Sequence, residues 1–331
     1  MTVNGRPRAP LMTNTQADRV KEVARLAGRP SRSRRREFLA EGPQAVREAL
    51  RLHRQHDAGV VVDVYATPEA LERHPDIVEL LAADDTPPVR PVTPDVLAAM
   101  SSTVTPQGFI AVCRFVDSTL DDVLAARPRL VAVLVEVRDP GNAGTIIRAA
   151  DSAGADAVIL TSASVDPYNP KTVRSTVGSL FHLPLVIGAD LDDLHERLRS
   201  AGLTVLAADG YGSTSLDDLQ DAGAARRAGV GSPQPDRSRV PGPTTPVSAD
   251  RDAGPAVGHA PRAPHDGNEG VHLEHPTAWL FGNEAQGLPH EVSASADAQV
   301  AVPIYGRAES LNVGTAATVC LYASARAQRR D

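Results

Sequence analysis

Short apolar runs alternate with amphipathic helical stretches from residue 130 onward, and this alternation restricts the fold more than any other feature. The runs "RLVAVLVEV", "DAVILTSAS", "LPLVIG" and "LTVLAADG" are each followed by a helical pattern. They are apolar throughout, with few alternating polar positions, which is typical of strands buried on both faces. The pattern therefore predicts an α/β domain over residues 130–331, with a parallel sheet covered by helices on both faces.

A second, smaller unit precedes this domain. Residues Asp18–Arg54 have a helical pattern, and strand and helix patterns then alternate up to the strand "GFIAVCRF". A small α/β domain is predicted at residues 18–116, with a linker at 117–129. Residues 1–17 are rich in polar residues and contain proline, which predicts a disordered basic arm.

Hydrophobic periodicity is lost between about residues 221 and 276, where nine of the chain's 27 prolines lie. Such a segment buries too little apolar area to offset its ordering entropy, so a disordered insertion in a surface loop is predicted. Its histidines have no ligand spacing and no cysteine partners, and we expect no metal site from them. They are His259, His265, His272 and His275. Cys113 and Cys320 each lie inside an apolar run, which indicates buried, reduced thiols.

Charge is unevenly distributed along the chain. The net charge is −7, yet residues 1–55 hold 13 Arg and Lys against 5 Asp and Glu. A basic N-terminal unit suits a nucleic-acid phosphate backbone, although a solvated arginine-rich arm is an open alternative. The candidate RNA-binding residues are Arg32, Arg34, Arg35 and Arg36. Because no secretion signal or membrane-length apolar run is found, we expect a cytoplasmic protein without a membrane partner.

Three segments place glycines and polar residues where a predicted strand ends. They are "GNAGTIIRAADSAG", "FGNEAQGLP" and "VPIYGRAESLNVGTA". The carboxyl ends of parallel strands form the natural ligand crevice of such a sheet, so the three loops can meet at one site. The first segment has neither dinucleotide nor P-loop glycine spacing. No carboxylate follows at the end of the next strand, so a nicotinamide or ATP site is disfavoured.

Together these segments resemble the three motifs of the SpoU/TrmH family of RNA 2′-O-ribose methyltransferases, of the SPOUT class. The stretch "VRSTVGSLFHLPL" between the first two is also similar to the family. The resemblance covers residues 130–331 apart from the insertion, and extends more loosely to residues 32–116, which look like the family's substrate-binding domain. The matched positions are Asn142, Arg148, Gly282, Asn283, Glu284, Gly287, Leu288, Pro303, Ser310, Leu311 and Asn312.

The resemblance implies a C-terminal trefoil knot, which general topological rules would not suggest. It also implies that S-adenosylmethionine binds within the knot. An adenine ring needs an apolar slot with backbone donors and acceptors, and glycines permit close approach. The implied cofactor-binding residues are Gly282, Gly287, Leu288, Val302, Ile304 and Leu311.

The catalytic arginine of the family corresponds to Arg148. An arginine rarely releases its proton, so stabilising the forming alkoxide and holding a phosphate are alternatives to its acting as a general base. Asn142 and Glu284 are expected to orient it, while Ser310 and Asn312 are expected to cap the terminal helix and to bind substrate or the arginine. Purely structural roles for these four polar residues remain open.

The predicted function is S-adenosylmethionine-dependent methyl transfer to a ribose 2′-hydroxyl. Ribosomal RNA is favoured over transfer RNA because a separate N-terminal domain precedes the catalytic one. The resemblance further implies a homodimer. The alternatives are a transfer-RNA methyltransferase, a drug-resistance methyltransferase of the same family, and an inactive RNA-binding module of the same fold.

Overall fold

The computed structural model describes residues 9–55, 59–82, 86–229 and 270–329. Within these ranges the chain forms two α/β units, each built around its own sheet. No helix in the described ranges is long and apolar enough to cross a lipid bilayer. The central part of the predicted insertion, residues 230–269, lies outside the described residues.

The N-terminal unit contains a four-stranded sheet in the order β1-β4-β2-β3, in which β4 is antiparallel to both neighbours and β2 is parallel to β3. The small α/β unit predicted from the sequence is therefore confirmed. Its strands are β1 (Glu37–Glu41), β2 (Val61–Ala66), β3 (Val89–Pro91) and β4 (Phe109–Arg114). Its α-helices are α1 (Asp18–Ala24), α2 (Arg29–Arg35), α3 (Pro43–Gln55), α4 (Pro68–Arg73), α5 (Pro75–Leu81) and α6 (Pro94–Met100).

Strand β1 interrupts the region that was predicted to be helical throughout. Helix α2 ends at Arg35, its C-cap Arg36 has a left-handed φ of 54°, and the chain then extends into the strand. Phe38 and Leu39 are consecutive and fully buried, in two different core clusters. An extended strand directs neighbouring side chains to opposite faces, which accounts for both being buried.

The predicted N-terminal arm is only partly outside the described residues, which begin at residue 9. Met12 pairs in parallel with Val92. The Met12 amide donates to the Pro91 carbonyl at 2.9 Å, and the Thr93 amide donates to the Met12 carbonyl at 3.0 Å. The prediction of disorder as far as residue 17 is therefore wrong for this part of the arm.

The C-terminal unit contains a seven-stranded, fully parallel sheet in the order β7-β6-β5-β10-β8-β11-β9, as the apolar runs predicted. Its strands are β5 (Leu130–Leu134), β6 (Ala157–Thr161), β7 (Leu185–Ala189), β8 (Thr204–Ala208), β9 (Thr214–Ser215), β10 (Thr277–Phe281) and β11 (Ala298–Ala301). Its α-helices are α7 (Leu120–Ala125), α8 (Pro140–Ala153), α9 (Pro170–Thr176), α10 (Leu191–Ser200), α11 (Leu216–Arg227), α12 (His290–Ser295) and α13 (Val313–Gln328).

Both faces of this sheet are buried at its central strands, as β5 shows. Leu130, Ala132 and Leu134 of β5 belong to the core cluster that also holds buried residues of α8 and α13. Val131 and Val133 belong to a second cluster that includes buried residues of α7 and α10. The two sets alternate along the strand, as expected when helices cover both faces.

Two segments predicted as linker or insertion are packed against the C-terminal unit. Residue Asp117 forms a bridge with Leu185, and Val123 of α7 is buried, so the predicted linker is part of the domain. Helix α11 continues to Arg227, well beyond the predicted start of the insertion near 221. The chain returns at Leu273, which is buried, and at Glu274, whose Oε2 lies 2.9 Å from Arg226 Nη2.

The two units share a continuous core. Aromatic residues make up only 3% of the chain, yet four of them meet where the units touch. The ring of Tyr168 lies 3.9 Å from that of Phe115 and 4.6 Å from that of Phe38, and Phe38 lies 5.9 Å from Phe181, measured between centroids. This contact fixes the N-terminal unit against the C-terminal one. The trefoil knot stays a prediction.

Candidate active site

The turn between β5 and α8 contains a carboxylate, Asp139, that binds the backbone at the start of the helix. Asp139 caps α8, its Oδ1 accepting a hydrogen bond from the Asn142 amide at 2.9 Å. That hydrogen bond and the nearby Lys171 ammonium, at 3.2 Å, hold the pKa of Asp139 below its usual range. A helix N-terminus attracts anions, but this one already has an anionic partner within the chain. The geometry therefore argues against a phosphate-binding site at the N-terminus of α8.

The loop after β10 is a tight turn that depends on two glycines. The Asn283 amide donates to the Gly287 carbonyl at 2.9 Å, and the Gly287 amide donates back to the Asn283 carbonyl at 2.8 Å. Gly287 has a φ of +70°. A Cβ on Gly282 would lie 2.3 Å from the Gly287 carbonyl carbon, so a side chain there would force the turn open.

Three polar side chains join the three loops into one site. Asn142 Nδ2 donates to Glu284 Oε1 at 3.0 Å, and Asn312 Nδ2 donates to Asn142 Oδ1 at 2.9 Å. The Asp139 amide also donates to Glu284 Oε1, at 3.3 Å. The segments expected to meet at the carboxyl edge of the sheet are therefore in direct contact, although Glu284 lies 142 residues from Asn142.

Arg148 lies on the exposed side of α8, six residues after Asn142. It forms no hydrogen bond or ion pair with any residue in the described part of the chain. The expectation that Asn142 and Glu284 orient this arginine is therefore wrong for this structure, because these two side chains bind each other instead. An exposed guanidinium with its donors free remains able to bind an anionic group of a substrate.

Asn312 alone caps the terminal helix. Its Oδ1 accepts hydrogen bonds from the amides of Gly314 at 2.9 Å and Thr315 at 3.4 Å. Ser310, also predicted as a cap, is exposed and forms no hydrogen bond within the described residues. Two residues separate it from the helix start, which is too far for an N-cap.

The residues predicted to bind the cofactor lie at the carboxyl ends of β10 and β11. Both strands pair with β8 in parallel, so their ends share one edge of the sheet. Gly282 is buried, Gly287 is exposed, and Leu311 is 37% exposed. The half-buried members of the set are Leu288, Val302 and Ile304. These three residues and Leu311 therefore keep part of their apolar surface exposed.

The four arginines predicted to bind RNA have different environments. Arg32 is 2% exposed, and its guanidinium donates to Asp166 Oδ2 at 2.7 Å and 3.1 Å and to the Leu26 and Ala27 carbonyls. The prediction that Arg32 binds RNA is therefore wrong, because all its contacts lie within the protein.

The other three arginines keep exposed surface. Arg36 pairs with Asp117 and lies over the Phe115 ring, and Arg35 pairs with Glu37. Arg34 is exposed and has no ion pair within the described chain. Arg34 and Arg35 line an open cavity of about 390 Å³ together with Glu22, Arg25 and Ser31.

Several contacts around the site were not anticipated from the sequence. Lys171, next to Asp139, and Asp139 itself were not singled out, although Asp before Pro at a helix start is a recognisable cap signal. Arg174 of α9 donates to Ser102 Oγ at 2.6 Å in the N-terminal unit. No local pattern reveals that contact, because the two residues are 72 positions apart.

The described residues contain no metal-ligand cluster, and both cysteines are buried. No group of three or more His, Cys, Asp or Glu in this part of the chain is arranged to hold a metal ion. Residues His259 and His265 lie outside the described ranges. Burial raises the pKa of the Cys113 and Cys320 thiols, that of Cys320 to about 12.

Comparisons with known protein families agree with this arrangement. The SpoU rRNA Methylase family matches residues 129–229 and 255–322, which together make up just over half of the chain. The MRM3-like substrate binding domain matches residues 17–111. The boundary between the two matches falls near the boundary between the two sheets.

Curated relatives and solved structures are similar to this chain over most of its length. The chain is 29% identical to the 23S rRNA (guanosine(2553)-2'-O)-methyltransferase RlmP of Bacillus subtilis, over 92% of this chain and 94% of the relative. An AdoMet-bound rRNA methyltransferase from Sinorhizobium meliloti matches with a TM-score of 0.69 and 25% identity, covering 97% of this chain and 98% of that chain. AviRb from Streptomyces viridochromogenes, solved with AdoMet, matches with a TM-score of 0.67 and 26% identity, covering 94% and 98%.

Proposed function

This chain belongs to the SpoU rRNA methylase family and is an S-adenosylmethionine-dependent RNA 2′-O-methyltransferase, and from that premise we propose that it methylates ribosomal RNA with Arg148 at the reacting hydroxyl. The observation that carries the proposal is the contact of Asn142, Glu284 and Asn312 at the start of α8, together with an arginine further along this helix that has no partner in the described chain. The rRNA-modifying relatives support ribosomal RNA over transfer RNA.

The reaction requires a 2′-hydroxyl oxygen to attack a methyl carbon while losing its proton. When bound, S-adenosylmethionine would supply that methyl group from its sulfonium, and the sulfur would keep the bonding electron pair and leave as a neutral thioether. Arg148 binds the adjacent phosphate and stabilises negative charge on the attacking oxygen, which needs only a fixed positive charge. The proton passes to water, because an arginine rarely accepts one.

The three polar residues that join the loops have a structural role in the proposed site. They are Asn142, Glu284 and Asn312. Their hydrogen bonds hold the β5–α8 turn, the 282–287 turn and the start of α13 together. We propose that this contact fixes the loops around both substrates, and that Ser310 and Asn312 face the bound RNA. Ser310 forms no hydrogen bond within the described residues, so its hydroxyl can donate to and accept from such a partner.

The residues at the edge of the sheet suit an adenosyl group. Adenine requires apolar surface beside backbone donors and acceptors. Leu288, Val302, Ile304 and Leu311 supply the apolar surface. The glycines of the 282–287 turn leave its backbone accessible. These residues would hold the cofactor, and the knot implied by the family resemblance is proposed to enclose it.

RNA is proposed to contact the N-terminal unit at the cavity lined by Arg25, Arg34 and Arg35. Arg25 and Arg34 are exposed and form no ion pair within the described residues. Guanidinium groups without protein partners are suited to phosphate, because they release counterions from RNA on binding. Arg36 is exposed and follows Arg35 in the chain, and it is proposed to extend this surface.

A homodimer is proposed to form through helix α13. Val319 is 38% exposed and Tyr322 is 49% exposed on this helix, which supports an apolar contact with a second copy. Ribosomal RNA as substrate favours action in the cytoplasm. Light scattering of the purified protein tests the dimer, and a monomer at micromolar concentration would contradict it.

Methyl transfer itself tests the substrate. Purified protein is incubated with tritiated S-adenosylmethionine and either unmodified ribosomal RNA or transfer RNA, and the 2′-O-methyl position is mapped. We expect incorporation into ribosomal RNA alone. Incorporation only into transfer RNA would overturn the substrate proposal, and incorporation into neither, without cofactor binding, would overturn the enzymatic one.

A further inference from the structure

A histidine outside the three loops lies between two carboxylates from different units. His182 Nδ1 is 2.8 Å from Asp151 Oδ2, and its Nε2 is 3.3 Å from Glu48 Oε2. Asp151 belongs to α8, the helix that carries Arg148, whereas Glu48 belongs to α3 of the N-terminal unit. His182 therefore connects the substrate-binding unit directly to the catalytic helix.

Only a doubly protonated imidazole can donate to both carboxylates at once. Burial works to lower the pKa of His182, but the hydrogen bonds to Asp151 and Glu48 outweigh it and the pKa is raised. Helix α8 presents Asp151 to the ring, and helix α3 presents Glu48, which also accepts hydrogen bonds from Arg51 and Gln44.

The backbone is shaped for this contact. Gly178 has a φ of +99°, and a Cβ there would lie 2.7 Å from Glu48 Cγ. Any side chain at this position would push Glu48 away from His182. The contact between the two units therefore depends on a glycine next to the histidine's own short helical turn, Ser179–Phe181.

Asp151 lies three residues after Arg148 on the same helix. A carboxylate and a guanidinium at this spacing are neighbours on a helix surface and readily form an ion pair. No such pair exists in the described structure, and the Asp151 carboxylate is bound to His182 instead.

We propose that His182 is a positioning residue for methyl transfer: by binding Asp151 it prevents this carboxylate from pairing with Arg148, and through Glu48 it fixes α8 to the substrate-binding unit. The inference rests on the proposed role of Arg148. It predicts that kcat falls when His182 is lost because Asp151 then pairs with Arg148.

A double-mutant cycle tests this proposal on the full-length protein with ribosomal RNA and S-adenosylmethionine. His182→Ala is expected to lower kcat about two- to fivefold, the range for an exposed helix ion pair competing for the arginine. KM for the cofactor should not change. In an Asp151→Asn background the same replacement is expected to change kcat little, because the competing carboxylate is gone.

His182→Arg should retain most of the wild-type kcat. His195→Ala, on α10 beside Ser295, is a control for loss of a half-buried histidine.

Equal loss in both backgrounds would overturn the inference, since it would assign His182 a purely structural role. An unchanged kcat in His182→Ala would also overturn it. If His182→Ala does not fold, the ratio of wild-type kcat to His182→Arg kcat is measured from about pH 6 to about pH 9. The ratio should fall as His182 loses its proton, and a constant ratio would refute the proposal. An inactive wild-type protein would overturn the proposed function itself, and this inference with it.

Discussion

The basic segment at residues 29–36 and helix α8 place their arginines in different surroundings. The segment is dense in positive charge, yet Arg32 is buried against Asp166, Arg35 and Arg36 are paired within the chain, and Arg34 is exposed without an ion pair among the described residues. Helix α8 carries a single arginine, and Arg148 has no partner among the described residues. Charge density along a sequence therefore does not show which arginines are free to bind an anion. The set of partners in the folded chain does.

The largest expected effect is on Arg148. Arg148→Ala should lower kcat about 10²–10³-fold, the range for losing one group that stabilises a developing anion. Its thermal unfolding temperature should stay within about 1 °C of wild type, because the guanidinium has no partner in the described chain. Arg197→Ala on α10, whose side chain pairs with Asp121, is the control. A large loss of cofactor affinity in Arg148→Ala would show that the arginine has another role.

The reverse result is expected at Arg32. Arg32→Ala should lower the free energy of unfolding by about 3 kcal/mol, because it leaves Asp166 and the Leu26 and Ala27 carbonyls without their donor. Denaturant titration measures this change. The residual folded protein should methylate RNA at close to the wild-type rate. If Arg32→Ala instead kept wild-type stability and bound RNA more weakly, Arg32 would be an RNA-binding residue after all.

An intermediate effect is expected at the cavity arginines. Replacing Arg25 and Arg34 together with alanine should weaken RNA binding and lower the slope of log Kd against log salt by about 1 for each phosphate that the variant no longer binds. Filter binding at several salt concentrations measures both quantities. The turnover rate with saturating RNA should not change. An unaltered slope would show that RNA follows another path across the N-terminal unit.

A smaller effect is expected at the cap of α8. Asp139→Ala should cost about 1 kcal/mol of stability at neutral pH, whereas Asp139→Asn, which keeps a capping oxygen, should cost less. The lowered pKa of Asp139 means that its carboxylate contributes above about pH 4. The advantage of wild type over Asp139→Asn should therefore disappear as pH falls through the lowered value. An advantage that persists at lower pH would contradict this account.

The smallest effect is expected from the charge on His182. Its raised pKa means that its contribution to stability is complete below about pH 6.5 and is lost as pH rises through the folded-state value. The difference in unfolding temperature between wild type and His182→Asn should therefore be larger at about pH 6 than at about pH 8.5. An opposite trend would show that the ring is neutral in the folded protein.

Much of the fold followed from local sequence signals. The strand at Leu130–Leu134 and the helix α8 that follows it were recognisable because apolar periodicity changes from strand to helix within a few residues. Strand β1 was missed because five residues between an arginine run and a glycine carry little pattern. The extension of α11 was missed because its last turns, rich in alanine and arginine, resemble low-complexity composition.

The site was only partly accessible from the sequence, for a different reason. Its residues were found through the family resemblance, but their partners depend on tertiary distance. Asp166 lies 134 positions from Arg32, and no local pattern predicts that pair. The bond between Asn142 and Glu284 is equally remote, so the expectation that both face Arg148 could not be tested before the fold was known.

The ion pair between Arg226 and Glu274 brings together the two points where the chain leaves α11 and rejoins the sheet. Closing a loop whose ends are already held costs little more as the loop lengthens. This position is therefore a natural insertion point for engineering. A fluorescent reporter placed between residues 230 and 269 should report where the enzyme goes in a cell without disturbing the three loops that form the site.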